Sequence, residues 1–194
     1  MIIGLTGFYC SGKDTVANYI SNIYGYKHFS LSDVLRNMMK SAGIEPIREN
    51  LIVFGTKLRR ENGNAVLAEK ILGSIKNGGK YCVTSIRHSE EVAEFRKRKD
   101  FILVNVAAPY DIRFKRMQKR KRPGDPQTLE KFIELEKKES QSSGSGQQIR
   151  KTAGIADVVF MNDLDNISVL NKNIDGLLKD LENKISSRYA VYNK

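Results

Sequence analysis

Tryptophan is absent, and cysteine occurs only twice and proline four times in 194 residues. The two cysteines, Cys10 and Cys82, are too few and too isolated for a disulfide framework or a thiolate metal cluster. No run reaches the roughly 18 consecutive apolar residues of a membrane span, so no membrane partner is expected. Met1 leads straight into an apolar segment, without the basic region and apolar core of a secretion signal. A cytoplasmic protein with reduced thiols is therefore expected. His28 and His88 stand alone, and neither is assigned a metal. Acidic residues are also scarce, 22 against 33 basic ones, which leaves a formal charge of +11. That excess suits an anionic ligand, whether a small phosphate ester or a nucleic acid. The length fits one compact domain over 1–194 with a sizeable core.

What is present is concentrated near the start. Met1-Ile2-Ile3-Gly4-Leu5-Thr6 reads as a short buried strand, and Val16-Ala17-Asn18-Tyr19-Ile20 as the beginning of a helix. Between them lies Gly7-Phe8-Tyr9-Cys10-Ser11-Gly12-Lys13-Asp14-Thr15, a phosphate-binding loop in its proper strand–loop–helix setting. Glycines let backbone N–H groups turn inward around phosphate oxygens. The helix N-terminus adds its positive end, and Lys13 brings an ammonium to the β- and γ-phosphates of ATP. The nucleotide-binding set is thus Gly7, Cys10, Ser11, Gly12, Lys13, Asp14 and Thr15. Asp14 stands where such loops usually carry a Ser or Thr that ligates Mg²⁺. Its carboxylate is a hard oxygen donor suited to Mg²⁺, and it also complements the helix N-terminus; both roles are open. Thr15, about 100° further round the helix, faces an α-phosphate more naturally than a metal.

Strands and helices alternate along the rest of the chain. Strands are expected at 27–30, 81–85, 101–106 and 156–160, and helices at 31–40, 49–61, 65–75, 90–97, about 110–120 and 128–139. A C-terminal helix carries Ile167, Leu170, Ile174, Leu177, Leu181 and Ile185 at steps of three and four. This order predicts an α/β fold, three layers α/β/α around a five-stranded parallel sheet. Ser140-Gln141-Ser142-Ser143-Gly144-Ser145-Gly146 reads as a mobile loop inside the domain.

With these motifs in place the chain resembles the P-loop nucleoside monophosphate kinases. It is most similar to deoxynucleoside monophosphate kinases and to dephospho-CoA-kinase-like proteins. The resemblance runs in order from GFYCSGKDT to ADVVFMND. It implies a P-loop NTPase fold with a helical lid at about 113–127, Mg²⁺ as cofactor and ATP as co-substrate. Ser30-Leu31-Ser32-Asp33-Val34-Leu35-Arg36 is similar to the segment that receives the acceptor monophosphate, which makes Ser32, Asp33 and Arg36 substrate candidates. Arg60 and Arg87 are the candidates for holding the acceptor phosphate, because guanidinium pairs bidentately with phosphate oxygens. Arg87 follows a strand's carboxyl end, where sheets of this kind bind ligands. Asn162 resembles the loop that borders the adenine. Relatives often end the third strand with an acid that organises Mg²⁺; here Thr84-Ser85 stands instead.

From Arg113 to Arg122 seven of ten residues are basic, and this run aligns with the lid. Arg113, Arg116 and Arg120 recur at steps of three and four on one helix face. Arg116 and Arg120 are the catalytic candidates with Lys13 and Asp14, since a phosphoryl group in flight carries charge that arginines stabilise. Pro123-Gly124-Asp125-Pro126 supplies a turn on which a lid can pivot. The expected activity is ATP-dependent phosphoryl transfer to a small-molecule (deoxy)nucleoside monophosphate. Dephospho-CoA is the alternative acceptor, and a polynucleotide 5′-kinase or other nucleic-acid-associated protein the alternative class. Phe114 is the one aromatic within the basic run, which disfavours polymer binding.

Overall fold

The computed structural model describes residues 1–121, 125–140 and 148–192. The elements run β1 (Ile2–Thr6), α1 (Lys13–Tyr24), β2 (Lys27–Ser30), α2 (Leu31–Ser41), α3 (Arg48–Asn62), α4 (Val66–Leu72) and β3 (Tyr81–Thr84). They continue as α5 (Ser89–Phe95), β4 (Phe101–Ala107), α6 (Tyr110–Arg120), α7 (Leu129–Ser140), α8 (Ile149–Gly154), β5 (Val158–Met161) and α9 (Ile167–Tyr192). All sheet pairings are parallel, in the order β2-β3-β1-β4-β5. The expected five-stranded parallel sheet is thus present. Its connectivity reverses at β1, whose carboxyl end carries the phosphate loop.

Both faces of the sheet are covered, which explains why the central strands read as near-continuous apolar runs. Ile3 and Leu5 point to one face, where Val16 and Ile20 of α1 and Ile174, Leu178 and Leu181 of α9 pack on Ile102 and Val104. Ile2 and Leu103 point to the other, beneath Leu35 and Met39 of α2, Leu67 and Ile71 of α4, and Val92 and Phe95 of α5. Gly4 lies on this second face, where a Cβ would come 2.7 Å from the Phe101 ring and 2.8 Å from Ile86. The tight packing there needs a residue without a side chain.

The sequence boundaries hold to within a few residues, with one element unforeseen. The short helix α8 begins three residues beyond the Ser/Gly-rich run and is too brief to show a helical period. β5 starts at Val158, two residues after the expected Ala156. Residues 141–146 of the expected mobile loop and Pro123-Gly124 of the expected pivot lie outside the described residues.

One buried ion pair fastens the helical α3–α4 segment to the sheet. Arg59 of α3 donates to Glu91 of α5 at 3.2 Å, with both side chains nearly or fully excluded from solvent. The other oxygen of Glu91 accepts the backbone N–H groups of Arg87 (2.8 Å) and His88 (3.1 Å), so this carboxylate also shapes the β3–α5 turn. Burial pushes the Glu91 carboxyl up, opposed by Arg59 and the two N–H groups. Breaking such a pair from one side leaves a buried charge uncompensated and is costly.

His88 is completely buried beside this pair, and neither ring nitrogen has a hydrogen-bond partner among the described residues. Burial, reinforced by the Arg59 charge, lowers its pKa from 6.5 to about 4. The folded ring is therefore neutral at pH 7. As pH falls below 6.5 the unfolded chain takes up a proton that the folded chain refuses down to about 4. Stability contributed by the neutral ring is thus full above that window and declines through it. Denaturant midpoints measured at pH 7 and pH 5 should fall at the lower pH, and His88→Leu should shrink the difference. An identical pH response in the variant would assign the effect to other groups.

Candidate functional site

The phosphate loop owes its shape to two crowded positions. Gly7 has φ +147°, and a Cβ there would run into the Val106 carbonyl of β4. Gly12 has φ +90°, and a Cβ there would run into the side-chain amide of Asn162. Both positions demand glycine for conformation and for space. Within the loop the Ser11 N–H donates to the Phe8 carbonyl at 3.2 Å. Cys10 takes a left-handed backbone with φ +60°, unusual for a residue with a side chain. Gly12 then starts α1, whose first-turn N–H groups have no partner further back in the helix.

Residues from the loop and from four other segments line a cavity of about 820 Å³ above the carboxyl ends of the strands. Cys10, Gly12, Lys13, Asp14 and Thr15 form one wall. Ser32, Asp33 and Arg36 of α2 and Arg87 of the β3–α5 turn form a second stretch of the lining. Arg116, Arg120 and Asn162 close a third side. Lys13, Arg36, Arg87, Arg116 and Arg120 give five cations against the three anions Asp14, Asp33 and Asp165, a net +2 among the described lining residues. This balance suits a polyphosphate ligand.

Three of the expected residues lie elsewhere. Gly7 and Ser11 frame the loop without lining the cavity, Ser11 being fully buried. Arg60 is exposed on α3 and does not reach the cavity. A guanidinium in solvent on the far side of the helix gains nothing from a ligand there. Its neighbour Arg59 points inward to Glu91 instead, and so supports the backbone of Arg87. The sequence shows two adjacent arginines and does not reveal which faces the protein.

The basic run separates into three tasks. Arg113 is buried, ion-paired with Glu136 of α7, and donates to the carbonyls of Ala108 (2.9 Å) and Tyr9 (3.1 Å). It is an internal strut, although it shares a helix face with Arg116 and Arg120. Arg116 spends all three guanidinium nitrogens on the β5–α9 loop: Nη1 on the Asn162 carbonyl, Nη2 on Asn162 Oδ1 and the Leu164 carbonyl, and Nε on Asp165. Arg120 pairs through Nε and Nη2 with Asp125, while its guanidinium lies 4.4 Å from the centre of the Tyr9 ring. Asn162 is buried and donates through Nδ2 to the Ser11 carbonyl at 2.8 Å. It therefore ties the β5–α9 loop to the phosphate loop.

Several lining residues escaped the sequence reading. His28 Nε2 lies 3.0 Å from Thr84 Oγ1, and Ser30 Oγ lies 3.4 Å from Ser85 Oγ. These pairs join β2 to the end of β3 in a polar floor, at the place where the resembled kinases often carry a strand-end acid. Ser85 holds φ +64°, a strained backbone for serine at the rim of a cavity. Tyr9 also lines the cavity; its position inside the loop was the available signal. Among the described residues no cluster of three His, Cys, Asp or Glu side chains is arranged to enclose a metal. Asp14 and Thr15 nevertheless present hard oxygens beside Lys13, a donor set that fits Mg²⁺ held mainly by phosphates and water. Cys82 is buried in β3 with its thiol pushed up to about 12, foremost by burial, and is chemically quiet.

Comparison with known proteins agrees with this architecture. The family described as "AAA domain" matches residues 3–142. The UPF0200 protein of Methanocaldococcus jannaschii is 32% identical over 197 aligned residues, covering 100% of this chain and 96% of its own. Among solved structures, shikimate kinase from Bacteroides thetaiotaomicron aligns with a TM-score of 0.60 at 17% identity, over 94% of this chain and 98% of that one. Shikimate kinase from Aquifex aeolicus aligns with a TM-score of 0.58 at 18% identity, over 95% and 98%. At those identities the likeness concerns the fold, which is that of the P-loop kinases. The chain belongs to the UPF0200 family and carries the AAA domain.

Proposed function

We propose that the protein transfers the γ-phosphoryl group of ATP to a (deoxy)nucleoside monophosphate, giving ADP and the diphosphate. The observation that carries this reading is that the phosphate loop and two further arginine-bearing segments line one cavity. Lys13 and the start of α1 line it together with Ser32, Asp33, Arg36 and Arg87. Lys13 would hold the β- and γ-phosphates, and Arg36 and Arg87 the acceptor phosphate. Arg36 now pairs with Asp33 at 2.8 Å in an exposed ion pair. Such a pair is weak, so a phosphate dianion can take the guanidinium from the carboxylate. Asp14 would hold Mg²⁺ at the phosphates, where the ion supplies neutralising charge. The residues themselves act by positioning the reactants and by placing cations where charge develops.

A second reading is favoured by the polar floor. Around His28, Ser30, Thr84 and Ser85 the described acceptor wall offers hydroxyls and an imidazole, with no broad aromatic face for a base to stack on. A small hydroxylated acid would suit that lining, as shikimate suits the shikimate kinases that share the fold. ADP release measured with ATP against nucleoside monophosphates, dephospho-CoA, shikimate and a 5′-hydroxyl oligonucleotide separates these readings. Saturable stimulation by a nucleoside monophosphate, only modestly weakened by salt, is expected. Stimulation by the hydroxy acid alone would move the acceptor assignment, and turnover on the oligonucleotide alone would move the class.

Two variants test the phosphate side. Lys13→Ala should lower turnover about a hundredfold or more, the loss of several kcal/mol of charge stabilisation in the transition state. Unchanged turnover in a folded variant would remove the ATP-dependent reading. Asp14→Asn should raise the Mg²⁺ concentration at half-maximal rate and leave metal-free nucleotide affinity near that of the parent. An unmoved Mg²⁺ requirement would leave Asp14 as a helix-start residue alone.

A further inference from the structure

Tyr9 is the one residue of the phosphate loop that helix α6 holds from two sides. Arg113, buried through its pair with Glu136, donates to the Tyr9 carbonyl at 3.1 Å. About two helical turns further on, Arg120 lies over the Tyr9 ring, 4.4 Å from its centre. The Tyr9 hydroxyl closes the arrangement by donating to Asp125 Oδ1 at 2.9 Å. Asp125 is also the carboxylate that receives Arg120 through Nε and Nη2, at 3.0 to 3.3 Å. The ring sits against buried Phe132 at 6.3 Å between centres, which limits its rotation.

This arrangement treats Arg120 unlike the other arginines of α6. Arg113 is consumed inside the protein, and every guanidinium nitrogen of Arg116 is bonded to the β5–α9 loop. Arg120 has the Tyr9 ring against its guanidinium and one edge fixed by Asp125. Its Nη1 has no hydrogen-bond partner among the described residues, and the side chain lines the cavity. A guanidinium held on one face and one edge presents its remaining N–H groups in a single direction. That is the economy of a preorganised donor, since no reorientation is needed when charge develops on a phosphoryl group. A flexible arginine without the ring would lose rotamer freedom at that moment.

We propose that Tyr9 is a positioning residue for Arg120: its ring and its hydroxyl, the latter through Asp125, aim Nη1 at the transferred phosphoryl group. The proposal rests on the phosphoryl-transfer reading above and deepens it. It also assigns a purpose to an aromatic residue inside a loop otherwise made of small or polar side chains after Phe8.

The test is a double-mutant cycle on Tyr9→Leu and Arg120→Ala, with Tyr9→Phe as the conservative rescue. Steady-state rates are read with ATP and whichever acceptor of the panel turns over. Tyr9→Leu should lower kcat about tenfold with KM for ATP within about twofold, the pattern of an interaction made in the transition state. Tyr9→Phe keeps the ring under the guanidinium and should recover most of that loss. Adding Tyr9→Leu to Arg120→Ala should cost no further rate, because the ring acts only through the arginine. Full additivity of the two losses, an unaltered kcat in Tyr9→Leu, or a change confined to KM would each overturn the assignment. If no acceptor on the panel is turned over, the proposed function fails by itself. The same cycle is then read on the affinity for Mg·ADP with aluminium fluoride, a mimic of the phosphoryl group in flight, where coupling between the two substitutions supports the positioning role and additivity overturns it.

Discussion

The contact between Asn162 and the phosphate loop is the constraint to which the other parts of the site are fitted. Its Nδ2 donates to the Ser11 carbonyl, and its amide occupies the space a Cβ at position 12 would need. Glycine at that position is thus required twice, by the left-handed turn and by the amide that fills its missing side chain. The same asparagine is gripped by Arg116 from α6 at its carbonyl and side-chain oxygens. A loop that must expose its N–H groups to phosphate cannot hold itself together with them. It is held instead through a carbonyl, from outside, by a residue after the last strand. That brings the two ends of the nucleotide-side wall, separated by 151 positions in sequence, into one unit.

The Arg87 side of the cavity rests on a different device. Arg87 reaches the cavity from a turn whose backbone N–H groups are collected by the buried carboxylate of Glu91, itself balanced by Arg59. The buried ion pair does little for net stability against an apolar alternative. What it does is couple α3 to the β3–α5 turn, so that this helix and Arg87 keep a fixed relation. The strained Ser85 lies in the same turn, between the polar floor and Arg87. Strain, burial of charge and an unpartnered neutral imidazole are concentrated within residues 85–91, next to the cavity. A polypeptide optimised for stability alone would not keep them there.

The fold was legible in the sequence because it depends on local periodicity. The apolar runs of β1 and β4 match strands buried on both faces, and the three-and-four spacing of α9 matches one helix lying on the sheet. The phosphate loop was legible because glycine and lysine at fixed offsets leave few other structures open. What remained hidden is directional. Arg59 and Arg60 are neighbours, yet one is buried against Glu91 and the other meets solvent. Arg113, Arg116 and Arg120 form a helical stripe, but helix α6 lies against α7, the β5–α9 loop and Tyr9 in succession, so each meets a different partner. Periodicity tells which residues share a face and says nothing about what that face touches.

The central claim is that one cavity binds a phosphate donor and a phosphate-bearing acceptor at the same time. Calorimetric titration with a dinucleoside pentaphosphate, which joins both ligands covalently, tests it most directly. The account predicts one site per chain, displaced by ATP and by the nucleoside monophosphate alike, and weakened by Lys13→Ala and by Arg87→Ala. Binding displaced by ATP alone and indifferent to Arg87→Ala would contradict it.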